Sequence, residues 1–237
     1  MSLSAILTEA YHFFRNHIGQ LAVLTMPFLL LQIGIQMWLG MEIAAADPEN
    51  PQFVTSHMVA MMVLLLVFSM LIAVLTLYLE VRSQGHQVGS LMMLKASLPF
   101  VPPLLLAGVF SGLAVAAPTM IALAAGPLWI VGLAISIYLF TRLAFVNFMV
   151  VVERLTPMEA IKGSFKFGGP IVVKTALILM LYLPISIVGG MLGQLAAPVG
   201  LPLQLIVEAV VSFFALFVNI ALFRLYMVSR QQQAAAE

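Results

Sequence analysis

Long, nearly uncharged stretches alternate with short charged segments along the chain. Each stretch can cross the roughly 30 Å hydrocarbon core of a bilayer as a helix that rises about 1.5 Å per residue. The uncharged run over 96–141 is about twice that length, and Gly126-Pro127 is its best turn signal. A turn near Pro198 and Gly200 divides the run over 175–207 in the same way. The pattern therefore predicts six spans, at about 18–40, 58–79, 101–124, 128–150, 171–193 and 203–228.

Three amphipathic segments precede pairs of these spans. Residues 2–15 carry apolar side chains at three- and four-residue spacing, which predicts a helix on the membrane surface before the first span. Polar connectors follow at 80–98 and 153–169. The loops after spans one, three and five carry no Lys or Arg, whereas both connectors do. This asymmetry predicts that the connectors and both termini are cytoplasmic.

The second connector has the clearest local signals. Thr156 and Glu159 have the spacing of a capping box, and Pro157 occupies the first helical position. Gly168-Gly169-Pro170 then predicts the end of the helix. We predict a short interfacial helix whose cations face water and lipid headgroups.

The same pattern occurs 67 residues earlier in the chain. The matching positions, second connector first, are Lys162 and Lys95, Ser164 and Ser97, Phe167 and Phe100, and Pro170 and Pro103. This echo suggests three parallel repeats, each a surface helix followed by a transmembrane hairpin. The alternative is that any loop that returns to a membrane tends to be amphipathic. The repeat hypothesis requires a helix near 88–98.

Composition supports the membrane assignment and excludes several functions. The chain of 237 residues is 63% hydrophobic and 8% charged, whereas about 25% of the residues of a soluble domain are charged. A net charge of +1 gives no reason to expect nucleic acid as a partner. The chain has no cysteine, which rules out disulfides, thiolate metal sites and cysteine catalysis. It also has no zinc-helix histidine pair or phosphate-binding glycine loop, so we expect neither an enzyme nor a cofactor.

Span six carries a stripe of polar and small residues. In a helix that turns about 100° per residue, its members lie within about 40° of one line along the helix surface. They are Gln204, Glu208, Ser212, Ala215, Asn219 and Tyr226, with Leu222 on the same line. Lipid cannot satisfy such a face, so it should meet protein or water, and an intramembrane acid such as Glu208 suggests a polar pathway. The alternative places Glu208 near headgroups and makes Asn219 an interhelical contact.

Cations supply the other candidate sites. Arg142 lies about 12 Å inside span four, where it should bind Glu80, Asn147 or a backbone carbonyl unless it snorkels to the interface. Arg224 is expected to snorkel from span six. The connectors offer candidate contacts for anionic lipids at Lys95, Arg154, Lys162 and Lys166.

Two glycine pairs at four-residue spacing predict close helix packing, Gly108 with Gly112 and Gly189 with Gly193. Proline inside spans three and five, at Pro118 and Pro184, can kink those helices. Both features are more typical of membrane-helix packing than of a functional site.

The segment from Arg142 through Val151-Val152-Glu153-Arg154-Leu155-Thr156-Pro157 to Phe165 resembles the connector of the YciC family of bacterial inner-membrane proteins. It is more distantly similar to the membrane domain beside some glycerophosphodiester phosphodiesterases. The chain ends, at Phe13-Phe14-Arg15-Asn16 and Leu222-Phe223-Arg224, resemble those of the family as well. The resemblance implies a multi-pass protein of the bacterial inner membrane and supplies no mechanism.

The sequence is compatible with two functions. The first is a non-enzymatic envelope protein that interacts with lipid or protein partners. The second is a carrier for a small molecule or lipid along the span-six stripe. A water-filled or lipid-filled cavity lined by both Glu208 and Asn219 would favour the carrier, and a dry, closed bundle would favour the first.

Overall fold

The computed structural model describes residues 2–45, 54–124 and 126–234. Those residues form ten α-helices and no strand. In chain order the helices are α1 (Leu3–Ala45), α2 (Thr55–Ser83), α3 (Ser90–Ser97), α4 (Val101–Ala124), α5 (Trp129–Arg142), α6 (Val146–Val152), α7 (Pro157–Phe167), α8 (Val172–Leu179), α9 (Tyr182–Ala196) and α10 (Leu201–Ala234).

Six helical segments in the described residues are long and apolar enough to cross a membrane. They are Leu3–Ala45, Thr55–Ser83, Ser90–Ala124, Trp129–Val152, Val172–Val199 and Leu201–Gln233. The prediction of an all-α, six-span membrane bundle is therefore confirmed. The turns expected at Gly126 and Gly200 are both present, and each glycine has a positive φ that side-chain-bearing residues rarely adopt.

The bundle closes into a ring because the first and last spans pack against each other. Helix α1 contacts α2 and α10, α2 contacts α4, α4 contacts α5, α5 contacts α8, and α9 contacts α10. Most of the core lies at the end of the bundle that holds the two connectors, which we call the connector end. Tyr78 of α2, Val151 of α6, and Leu225 and Tyr226 of α10 are almost fully buried there.

Helix α1 differs from its prediction. It runs unbroken for 43 residues, about 65 Å, so no separate surface helix exists over 2–15. Ile6, Ala10 and Phe14 are buried, because their apolar stripe packs in the bundle core, where Phe14 meets rings of α10. An amphipathic pattern alone cannot distinguish a neighbouring helix from lipid headgroups.

The expectation for Arg224 also needs correction. Its guanidinium donates a hydrogen bond to the Glu9 carboxylate of α1, in an ion pair that ties the first span to the last. Snorkelling was expected because Arg224 lies near the predicted cytoplasmic end of span six and points away from the polar stripe. The unbroken α1 places Glu9 beside α10.

The helix that the repeat hypothesis requires is present as α3. The echo extends to burial: Ser97 and Ser164 are both fully buried, at 0% exposure. Lys95 and Lys162 are both exposed. The connectors therefore share an inner serine face and an outer lysine face, although the unbroken α1 has no such separate helix.

Candidate functional site

Span four is broken between α5 and α6, at residues 143–145. The N–H of Val146 bonds to the Leu143 carbonyl at 3.2 Å, which leaves the Arg142 carbonyl free of its usual helical partner. The hydroxyl of Ser164, on α7, donates to that carbonyl at 2.9 Å and accepts from the N–H of Phe145 at 3.2 Å. A buried side chain from the connector thus replaces the missing hydrogen bonds of the break.

The Arg142 side chain also connects this break to α7. Its Nε donates to the Phe165 carbonyl at 2.9 Å, and Nη1 donates to the Tyr138 hydroxyl at 2.7 Å. Its guanidinium lies 4.2 Å from the Phe165 ring centroid. The structure therefore selects the carbonyl partner among the three expected for Arg142.

The predicted capping box begins α7. Glu159 Oε2 accepts from the Thr156 N–H at 3.1 Å and from the Thr156 hydroxyl at 2.7 Å. Both hydrogen bonds lower the pKa of the Glu159 carboxyl, and the bond from the Thr156 hydroxyl has the larger effect. The cap fixes the start of the helix that carries Ser164 to the span-four break.

Helix α7 has two apolar faces. The inner face packs into the protein through Ala160, Ser164 and Phe167. The outer face leaves Met158 and Phe165 exposed, at 50% and 41%. Lys162 and Lys166 are also exposed. An exposed apolar stripe bordered by lysines is typical of a helix that lies in a membrane interface.

The other candidate cations lie near this helix. Lys95 is exposed on α3. Arg154 is exposed as well, but its guanidinium lies 4.4 Å from the centroid of the Phe100 ring. Arg154 therefore contacts the chain just after the first connector, whereas the three lysines extend from the surface.

A cavity of about 440 Å³ lies beside the broken span. Its lining is mainly apolar, and none of the described lining residues is charged. The polar members are Ser69, Ser111, Asn147, Tyr182 and Asn219. Leu65, Phe68 and Phe140 on its wall are exposed on the outer surface of the bundle, so the cavity opens to that surface rather than being sealed in the core.

Two hydrogen-bonding features distinguish the polar part of this cavity. Asn219 Nδ2 donates to the Tyr182 hydroxyl at 2.9 Å. Ser111 Oγ is buried and has no hydrogen-bond partner among the described residues. Such a group costs about 1–3 kcal/mol when it stays unpaired.

The span-six stripe is divided into separate pairs. Near one end, Gln204 donates to Glu208 at 2.9 Å. Near the other, the Tyr226 hydroxyl donates to Glu153. Asn219 lies between them, on the cavity wall. Asn219 and Asn147 therefore both line the cavity, whereas Glu208, Ser212 and Arg142 do not.

The two glycine pairs have different surroundings. A Cβ at Gly193 would lie 3.3 Å from Glu208 Oε1, and one at Gly189 would lie 2.7 Å from Val211 Cγ1. These two pack closely, as predicted. A Cβ at Gly108 or Gly112 would have no other atom within 4 Å, and both glycines line the cavity.

The cavity includes polar residues that sequence reasoning did not select. Ser111 lies between the two glycines of the α4 pair, and Tyr182 follows the break between α8 and α9 at residues 180–181. Pro184 explains that break, because its ring clashes with the carbonyl four residues earlier. Within the described ranges, His, Asp and Glu form no group of three that could hold a metal ion.

The fold and the cavity define a multi-pass α-helical membrane protein. No family model matches the chain, and neither the curated proteins nor the solved structures contain a match. The resemblance to the YciC family remains a prediction from the sequence.

Proposed function

We propose that the protein is a YciC-like protein of the bacterial inner membrane, with both termini in the cytoplasm, that acts by binding lipid and not by catalysis. The observation that carries this proposal is the uncharged, mainly apolar cavity between the spans. Its volume of about 440 Å³ lies within the range of about 300–1,000 Å³ typical of ligand pockets.

The size and wall of the cavity suit part of a lipid. At about 30 Å³ for a group the size of a water molecule, 440 Å³ holds about fifteen such groups. That is comparable to one acyl chain and smaller than a whole phospholipid. Water would find few polar partners in this cavity and would occupy it poorly. An apolar chain that enters from the bilayer could fill the same space.

The connector surface supports a lipid-interacting role independently. The exposed Met158 and Phe165 can insert beside acyl chains, while Lys162 and Lys166 meet anionic headgroups. Each cation near an anionic surface contributes about 1 kcal/mol of attraction. With the connectors cytoplasmic, this surface faces the leaflet that attracts cations most strongly.

Filling the cavity should displace lipid. A leucine in Gly112→Leu would enter open space without meeting backbone, because nothing lies within 4 Å of a Cβ there. We expect several-fold less lipid bound to the purified protein, measured by native mass spectrometry after exchange into a non-lipid detergent.

Gly190→Leu is the matched control, since Gly190 has equally open surroundings, lies on α9 and is not a lining residue of the cavity. It should retain lipid like the wild type. Equal retention by both variants would contradict lipid binding in the cavity.

A carrier is the second candidate, favoured by the two broken spans beside the cavity. The break at 143–145 and the break at 180–181 both adjoin lining residues. Discontinuous spans next to a mid-membrane site are typical of secondary transporters.

The carrier alternative predicts unequal effects of two substitutions. In vesicles that contain a fluorescent phospholipid, a carrier would move the probe between leaflets faster than protein-free vesicles do. Asn219→Ala should then slow the movement several-fold, whereas Glu208→Ala should not, because Asn219 lines the cavity and Glu208 does not. Transfer no faster than in protein-free vesicles would exclude this activity.

A further inference from the structure

We propose that the cavity binds an uncharged amphipathic molecule, with its hydroxyl or carbonyl oxygen among Ser111, Asn147 and the Asn219–Tyr182 pair and its apolar portion extending toward the lipid-facing opening. This inference rests on the proposed lipid-binding function and adds the chemical class of the ligand.

The absence of charge in the described lining selects against an ionised headgroup. A phosphate or carboxylate in this cavity would lose its water and gain no cation, which is unfavourable. Arg142, on the neighbouring junction, already donates to the Phe165 carbonyl and the Tyr138 hydroxyl. A neutral oxygen incurs a much smaller desolvation penalty.

The polar lining residues can hydrogen-bond such an oxygen. The Tyr182 hydroxyl accepts from Asn219, so its own proton remains available to donate. Ser111 Oγ has no partner among the described residues, and its hydroxyl can donate or accept. The amide of Asn147 adds one acceptor and two donor hydrogens. Together they match a hydroxyl or carbonyl group, which needs one to three hydrogen bonds.

The apolar lining provides a route for the rest of the molecule. Gly108 and Gly112 of α4 leave open space, and Leu65 and Phe140 stand on the exposed wall. A chain or ring that lies along this side remains in contact with hydrocarbon. A long-chain alcohol or glycerol ester and an isoprenoid quinone both have this combination of a neutral oxygen and an apolar body.

Photo-crosslinking of the full-length protein in nanodiscs tests the proposal. Two probes share one diazirine-bearing chain, and one ends in a hydroxyl while the other ends in a carboxylate. At pH 8 we expect the alcohol to label peptides of the cavity lining at least several-fold more than the acid does. Competition with a monoacylglycerol and with a short-chain quinone identifies which of the two sources binds more tightly.

Ser111→Ala separates ligand binding from a structural role. We expect about five-fold less labelling by the alcohol, the equivalent of about 1 kcal/mol for one hydrogen bond. The melting temperature without probe should not fall, because Ser111 Oγ has no partner to lose among the described residues. Ser186→Ala, at an exposed position of α9 outside the lining, should label like the wild type.

Equal labelling by the alcohol and the acid, or unchanged labelling of Ser111→Ala, would overturn the inference. A loss of lipid in Gly112→Leu alongside either result would leave the proposed lipid binding intact. Failure of both experiments would remove the proposed function as well.

Discussion

Ser164→Ala is expected to lower the free energy of unfolding by about 2–6 kcal/mol, because it leaves two backbone groups unpaired at about 1–3 kcal/mol each. Those groups are the Arg142 carbonyl and the Phe145 N–H, both bonded to the Ser164 hydroxyl. Ser164 is fully buried, so water has poor access to replace it. Thermal and SDS-induced unfolding in detergent would measure the loss.

Ser97→Ala is the matched control, at the echoed position of the first connector. Ser97 is buried to the same extent, but its hydroxyl bonds one carbonyl of its own helix, that of Leu94 at 2.7 Å. We expect a loss of about 1 kcal/mol, typical of one hydrogen bond. Equal losses at the two serines would contradict the role of α7 in completing span four.

Gly132→Ala is expected to destabilise the protein by about 1–3 kcal/mol through overpacking. A Cβ at Gly132 would lie 2.5 Å from both the Ala122 Cβ and the Pro118 carbonyl oxygen. Because one of these atoms belongs to the backbone, α4 and α5 must separate to admit it. The fall in melting temperature in detergent reports the effect.

Gly108→Ala makes the same change where nothing lies within 4 Å of the new Cβ. There the gain in helix propensity, about 0.5–1 kcal/mol, should leave stability unchanged or slightly higher. A similar response at both positions would show that the α4–α5 contact is looser than the structure indicates.

Features with local signals could be predicted from the sequence. The spans follow from uncharged length, the turn at Gly126 from its dipeptide, and the start of α7 from the spacing of Thr156 and Glu159. The break in span five also has a local cause, at Pro184. The break in span four has none, since no proline or glycine occurs at 143–145. It depends on Ser164, whose position beside Arg142 is a tertiary property.

The candidate site was predictable only in part for a related reason. Helical periodicity places Glu208 and Asn219 on one face of α10. It does not show that different helices pack against that face at different points along its length. Glu208 meets Gln204 and Gly193, whereas Asn219 meets Tyr182 beside the cavity. Equal glycine spacing likewise produced a packed pair on α9 and an open pair on α4.

The proposed lipid-binding role requires a cavity that belongs to the lipid phase and not to an aqueous pathway. Since the chain has no cysteine, Gly112→Cys places a single thiol in the cavity lining. Lys162→Cys, on the exposed connector, and Val199→Cys, in the exposed turn before α10, provide the two aqueous reference sites.

The measurement is the rate at which a charged, membrane-impermeant thiol reagent modifies each variant in membrane vesicles, with access tested from both sides. We predict that the thiol in Gly112→Cys is protected from both sides and labels fully after unfolding in SDS, while each reference site reacts from one side. Modification of Gly112→Cys as fast as that of either reference site would show a water-filled cavity and contradict the account.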